Sequence, residues 1–99
     1  MKKQAVVISA NDNVATVVDD FKAGTQIHFF VGDKEQSVEL LQDVPLGHKI
    51  AIHEIPKGEE IIKYGESIGG ATLNIKVGEY VHIHNMESLR GRGDKEGLN

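Results

Sequence analysis

At 99 residues the chain is long enough for one domain and one core, but too short to enclose a substrate cleft of about 300–1,000 Å³ as well. Its 11 basic and 15 acidic residues leave a formal charge of −4, which excludes the clustered basic footprint of a phosphate-backbone binder, and aromatic residues, at 5%, are too sparse for a base-stacking platform. No run approaches the roughly 20 apolar residues of a membrane span, and the lack of cysteine rules out disulfides and thiolate metal sites. These features fit a cytoplasmic protein that binds neither nucleic acid nor membrane.

In chain order, the opening Lys2-Lys3-Gln4 and the apolar run from Ala5 to Ile8 faintly mimic a signal peptide. The run is short and Asn11-Asp12-Asn13 halts it at once, so it reads as a first strand near 4–9. Val14, Val17, Val18 and Phe21 then fall at i, i+3, i+4 and i+7, with Asp12 or Asn13 placed to cap, which predicts one short helix over 13–21. Runs rich in Val, Ile and Thr predict further strands near 26–31, 36–41, 48–53, 60–64, 71–75 and 79–84. Gly32-Asp33-Lys34-Glu35 reads as a hairpin loop between the first two of these.

An apolar-x-x-Gly-x-x-Ile/Val pattern occurs around Gly24, Gly47, Gly58 and Gly78, anchored by Phe21, Val44, Ile55 and Ile75. Each copy supplies a core anchor, a turning glycine and the start of a strand. The copies are unequally spaced, so they belong to one compact fold that reuses a turn and not to a solenoid. The domain is expected to end near residue 88. The segment 89–99 is charged, rich in glycine and without apolar period, and is expected to be a flexible tail.

The histidines carry most of the chemical information. If 79–84 is a strand, Tyr80, His82 and His84 share one face, while Val81 and Ile83 face the core. Two imidazoles on one face can meet one divalent ion or one anionic substrate, although a solvated strand face explains them as well. Ile50 and Ile52 set the inward parity of their strand, which leaves Lys49 and His53 exposed and His48 near a strand end. His28 reads as a surface residue. Lys63-Tyr64-Gly65-Glu66 groups a base, a hydroxyl and an acid, or simply ends a strand in a turn. Gly69-Gly70 offers backbone N–H groups for an anion or a tight turn. No phosphate loop, nucleophile elbow or zinc-helix motif is present.

Taken together, Gly47-His48-Lys49, Ile62-Lys63-Tyr64-Gly65 and Val81-His82-Ile83-His84-Asn85, with Asp12-Asn13-Val14-Ala15 before them, resemble the N-terminal SAF domain of the altronate and galactarate dehydratases. They are also similar to the free-standing small subunits related to that domain, including the α subunit of sulfolactate sulfo-lyase. The resemblance spans roughly residues 5–94. It implies a mostly β fold of the β-clip kind, shared with type III antifreeze proteins, and lyase (hydro-lyase) chemistry on a sugar acid or hydroxy acid. It also implies a divalent metal, iron or manganese, held mainly by a large catalytic subunit.

On that footing His82 and His84 are expected as catalytic residues or metal ligands. His48 and Lys63 are expected to pair with substrate carboxylate, and Tyr64 and Asn85 to orient hydroxyls. The chain is then expected to serve as a small subunit that completes a site on a partner, with assembly into homo-oligomers left open. A non-catalytic sugar-acid-binding or regulatory module is the alternative, since fold alone never fixes function.

Overall fold

The computed structural model describes residues 3–88; the expected tail, residues 89–99, lies outside the described residues. Among the described residues nine strands run in chain order: β1 (Ala5–Val6), β2 (Val14–Val17), β3 (Gln26–Val31), β4 (Lys34–Glu39), β5 (Lys49–Ala51), β6 (Glu60–Lys63), β7 (Glu66–Ala71), β8 (Tyr80–Val81) and β9 (Met86–Ser88). They form an antiparallel four-stranded sheet in the order β1-β2-β5-β8, the hairpin β3-β4, and a three-stranded sheet β6-β7-β9. The domain is mostly β, as expected. No helix among the described residues is long and apolar enough to cross a membrane.

The four turn motifs organise the fold. Their glycines have φ between +83° and +93°, and in each the residue after the glycine donates its N–H to the carbonyl three residues back, as in His48 to Pro45 at 3.1 Å and Glu79 to Lys76 at 3.0 Å. This is type II turn geometry, which needs a residue tolerant of positive φ at its third position. The anchors then pair two by two: Phe21 with Val44, and Ile55 with Ile75, each through reciprocal backbone hydrogen bonds. Side chains ahead of the anchors tie the paired turns together. Asp43 Oδ1 accepts from Ala23 N–H, Asp20 Oδ1 from Leu46 N–H, and Asn74 Oδ1 from Lys57 N–H, at 2.8, 2.8 and 2.9 Å.

Each half encloses its own core. One is built on Ile27, Phe29, Leu40, Val44 and Ile50, the other on Val14, Ile55, Ile61, Ile75 and Val81. The central strands β2 and β5 contribute to both, because alternate residues point to opposite faces.

Several local expectations are corrected. The helix over 13–21 is absent: Val14–Val17 is strand β2, with Val14, Ala15 and Val17 all buried. That strand has apolar residues on both faces, so its spacing mimics a helical stripe, while its β-branched residues favour the extended chain. The segment 71–75 is not a strand; β7 lies earlier, at Glu66–Ala71. Gly69 and Gly70 form neither a turn nor an open anion cradle. They are buried ladder residues of β7, paired with Ser88 and Glu87 of β9. Lys49, expected in solvent, is half-buried, whereas His53 is exposed.

Candidate functional site: a cluster of imidazoles, tyrosines and lysines

The site lies at the end of the β5–β8 ladder. Lys49 pairs with Val81 and Ile50 with Tyr80, so His48, one residue before β5, sits across from His82, one residue after β8. Directly opposite and diagonal residues of an antiparallel pair share a face. The ring centroids of His48 and His82 are accordingly 5.1 Å apart, and those of His48 and Tyr80 5.5 Å apart. The Tyr80 hydroxyl lies 2.6 Å from His48 Nδ1. Its ring stacks on His82 at 5.6 Å with planes 12° apart, and meets His84 edge-on at 5.7 Å.

The strand does not continue through His84. It ends at Val81, and His82 to Asn85 make a turn closed by Asn85 N–H to the His82 carbonyl at 3.0 Å. Ile83, expected in the core, is therefore 80% exposed at the tip. The physical cause is Asn85, whose side chain is wholly buried. Its Oδ1 accepts the His82 N–H at 2.9 Å and its Nδ2 donates to the Tyr80 carbonyl at 2.8 Å. A side chain that bonds the backbone in this way substitutes for ladder hydrogen bonds. Asn85 thus orders the turn that carries both histidines.

Lys63 and Tyr64 come from the β6–β7 hairpin. Tyr64 has φ +54° and Gly65 φ +80°, the two-residue type I′ turn that suits the twist of a hairpin. Positive φ costs a residue with a Cβ about 1–2 kcal/mol. Lys63 Nζ lies 5.0 Å from the centre of the half-exposed Tyr64 ring. Asp12 fastens this hairpin to the first loop. Its Oδ1 accepts from Gly65 N–H at 2.7 Å, and its Oδ2 from Ile8 and Ser9 N–H at 3.0 and 3.1 Å.

The charged neighbours that shift the titration of Lys49 and His82 are cationic. Partial burial, and then the neighbouring Lys63, lower the pKa of Lys49. Desolvation, followed by the charges of His48, Lys49 and His84, lowers that of His82, which favours its neutral form. Such a group of like charges gains most from an anion. Among the described residues no three His, Asp or Glu side chains are grouped to hold a metal ion.

The structure brings His48, Tyr80, His82 and His84 together, while Lys63 and Tyr64 stand on the β6–β7 hairpin, coupled to that group through the electrostatic effects of Lys63 on Lys49 and of Lys49 on His82. Asp12 holds the hairpin that carries Lys63 and Tyr64. Tyr80 was legible only as a neighbour of His82 on a strand; its bond to His48 depends on a β5–β8 register that no sequence pattern reveals.

Similarity to known proteins gives the family. Residues 3–89 match the altronate/galactarate dehydratase SAF domain. The chain belongs to this family. It is 44% identical over 85 residues to altronate dehydratase of Escherichia coli and 35% identical over 86 residues to that of Bacillus subtilis, alignments that cover 86% and 87% of this chain. The chain spans only 16% of the length of each of those enzymes. It is also 36% identical over 88 residues to the α subunit of (2R)-sulfolactate sulfo-lyase of Chromohalobacter salexigens, covering 86% of this chain and 94% of that subunit. This SAF domain thus has relatives both inside long dehydratases and as a small separate subunit of a lyase.

Proposed function

We propose that this SAF domain is the small subunit of a lyase acting on a hydroxy acid or sugar acid, and that the cluster around His48, Tyr80 and His82 forms its share of a site closed by a large catalytic subunit. The observation that carries this reading is the cationic, histidine-rich surface at the end of the β5–β8 ladder. It has the charge to hold a carboxylate and, in neutral His82, a base beside it. Lys63 and His48 pair with the carboxylate, and Tyr64 orients a hydroxyl. Asn85 acts through the turn that it holds.

Elimination removes a proton from the carbon next to a carboxylate while the C–O bond at the following carbon breaks. The C–H electron pair becomes the new double bond, and the leaving hydroxyl takes a proton and departs as water. His82 accepts the first proton, and His84, at the exposed end of the cluster, supplies the second. Any metal of the assembled lyase belongs to the partner subunit in this scheme, and none of these steps runs through it. Altronate and galactarate are the favoured substrates, because relatives named for them are 44% and 38% identical to this chain. Sulfolactate, from which sulfite departs in place of water, is the second reading, favoured by the match in length to a separate subunit.

The test is turnover. The chain alone should convert none of the three acids; mixed with a large lyase subunit it should convert one of them. Turnover by the isolated chain, or full turnover by the large subunit without it, would overturn the proposal.

A further inference from the structure

Tyr80 has no part in the scheme above, yet it is the most connected side chain of the cluster. Its ring lies against both His82 and His84, and its hydroxyl is 2.6 Å from His48 Nδ1. Its backbone is fixed on both sides as well: Tyr80 N–H donates to Gln42 Oε1 at 2.8 Å and its carbonyl accepts from Asn85 Nδ2. A phenol that keeps its proton can donate to one nitrogen of a neutral imidazole, and the imidazole proton must then sit on the other nitrogen.

We propose that Tyr80 is a positioning residue that fixes His48 in the Nε2–H tautomer. This deepens the reading of the site given above and rests on it for its functional meaning. With Nδ1 occupied by the phenol hydrogen, His48 presents Nε2–H to a ligand and acts as a hydrogen-bond donor to a carboxylate oxygen, not as a base. The proton-accepting role then falls to His82, whose ring is stacked on the same tyrosine. One side chain thereby assigns opposite roles to two histidines 5.1 Å apart. The imidazolium form of His48 also fits, since its Nδ1–H can donate to the phenol oxygen while Nε2–H remains a donor.

Tyr80→Phe tests this, because it keeps the ring against His82 and His84 and removes only the hydroxyl. In ¹⁵N-resolved spectra of the full chain above the histidine titration range, His48 should show an unprotonated, hydrogen-bonded Nδ1 and a protonated Nε2. In Tyr80→Phe the Nδ1 signal should move to that of an unbonded nitrogen, and the Nδ1–H tautomer should appear. A protonated Nδ1 in the neutral wild-type imidazole, or an unchanged His48 spectrum in Tyr80→Phe, would overturn the proposal. Titration with L-malate gives the second readout: affinity should fall about 3- to 10-fold in Tyr80→Phe, as for loss of one oriented donor, and equal affinity would remove the ligand-facing role. If wild-type protein binds no malate at all, the anion-site reading fails, while the nitrogen spectra still decide the role of Tyr80.

Discussion

Asp12 Oδ1 accepts a hydrogen bond from the backbone N–H of Gly65 at 2.7 Å, joining residues 53 positions apart in sequence. The same carboxylate binds Ile8 and Ser9, so one buried anion fastens the first loop to the hairpin that presents Lys63 and Tyr64. Burial by itself would raise its pKa, but the backbone donors of Gly65, Ser9, Ile8 and Tyr64 together outweigh it and hold the carboxyl below its ordinary value.

A carboxyl whose pKa is depressed on folding stabilises the fold fully above its unfolded value and loses that contribution as pH falls through the folded value. The domain should therefore lose stability progressively below about pH 4, the ordinary carboxylate range. Asp12→Asn replaces an acceptor by an amide that can bind only part of this set. It should cost about 1–3 kcal/mol at pH 7 and flatten the acid limb of the stability curve. Chemical denaturation of both proteins between pH 7 and pH 3 measures this; parallel curves would deny Asp12 its role.

Gly69 faces the backbone of β9. A Cβ placed there would lie 2.0 Å from the carbonyl oxygen of Glu87, and that contact cannot be relieved without moving a paired strand. Gly69→Ala should destabilise by about 1–3 kcal/mol or more and should increase amide exchange in Met86–Ser88, the strand that follows Asn85. A melting temperature for Gly69→Ala equal to wild type would show that β9 is less closely packed than the structure has it.

What the sequence disclosed and what it hid follow from range. The four glycine turns were legible because a type II turn is a local event with a local signature, and each glycine indeed turns with positive φ. The β3–β4 hairpin was legible for the same reason, as Ile27 and Phe29 alternate inward, although Lys34 and Glu35, expected in its loop, pair with Val31 and Phe30 and leave only Gly32-Asp33 in the turn. Val14–Val17 was misread because a strand buried on both faces has no period of two. The His82–Asn85 turn was misread because alternation assumes that the strand continues, and Asn85, four residues beyond Val81, ends it through bonds to His82 and Tyr80. Likewise the histidine pair and Tyr80 were visible as neighbours on one face, but their partner His48 comes from cross-strand register.

Anion binding should take up protons. In the free domain desolvation and cationic neighbours lower the pKa of His82, and burial and Lys63 lower that of Lys49. A bound carboxylate reverses the sign of the neighbouring charge and raises both. Binding of a hydroxy acid should therefore tighten by about 3- to 10-fold as pH falls from about 7.5 to 6, toward the histidine range. Calorimetry in two buffers of different ionisation enthalpy would register the proton uptake directly. Affinity independent of pH, with no proton taken up, would place the anion away from His82.

The two histidines of the turn differ in what they hold, and that difference makes them separable. His84 is exposed, and its removal should change stability by less than about 0.5 kcal/mol. His82 is half-buried and stacked on Tyr80, so His82→Ala should cost about 0.5–1.5 kcal/mol, the range for an aromatic pair. Neither loss is enough to unfold a domain with two buried cores. If both imidazoles transfer protons in the assembled lyase, each substitution should lower turnover by about 10² or more, the usual contribution of a general acid or base. A structural role predicts instead that activity falls only as far as the melting temperature does, and further for His82→Ala than for His84→Ala. Thermal melts of the isolated variants, set beside turnover after reconstitution with a large subunit at saturating substrate, distinguish the two patterns. The pH profile adds a third measure: His82→Ala should abolish the limb on which activity rises with pH, because the base that must be neutral is gone. Undiminished turnover with either histidine replaced would remove that residue from the chemistry and leave the cluster as a site for binding alone.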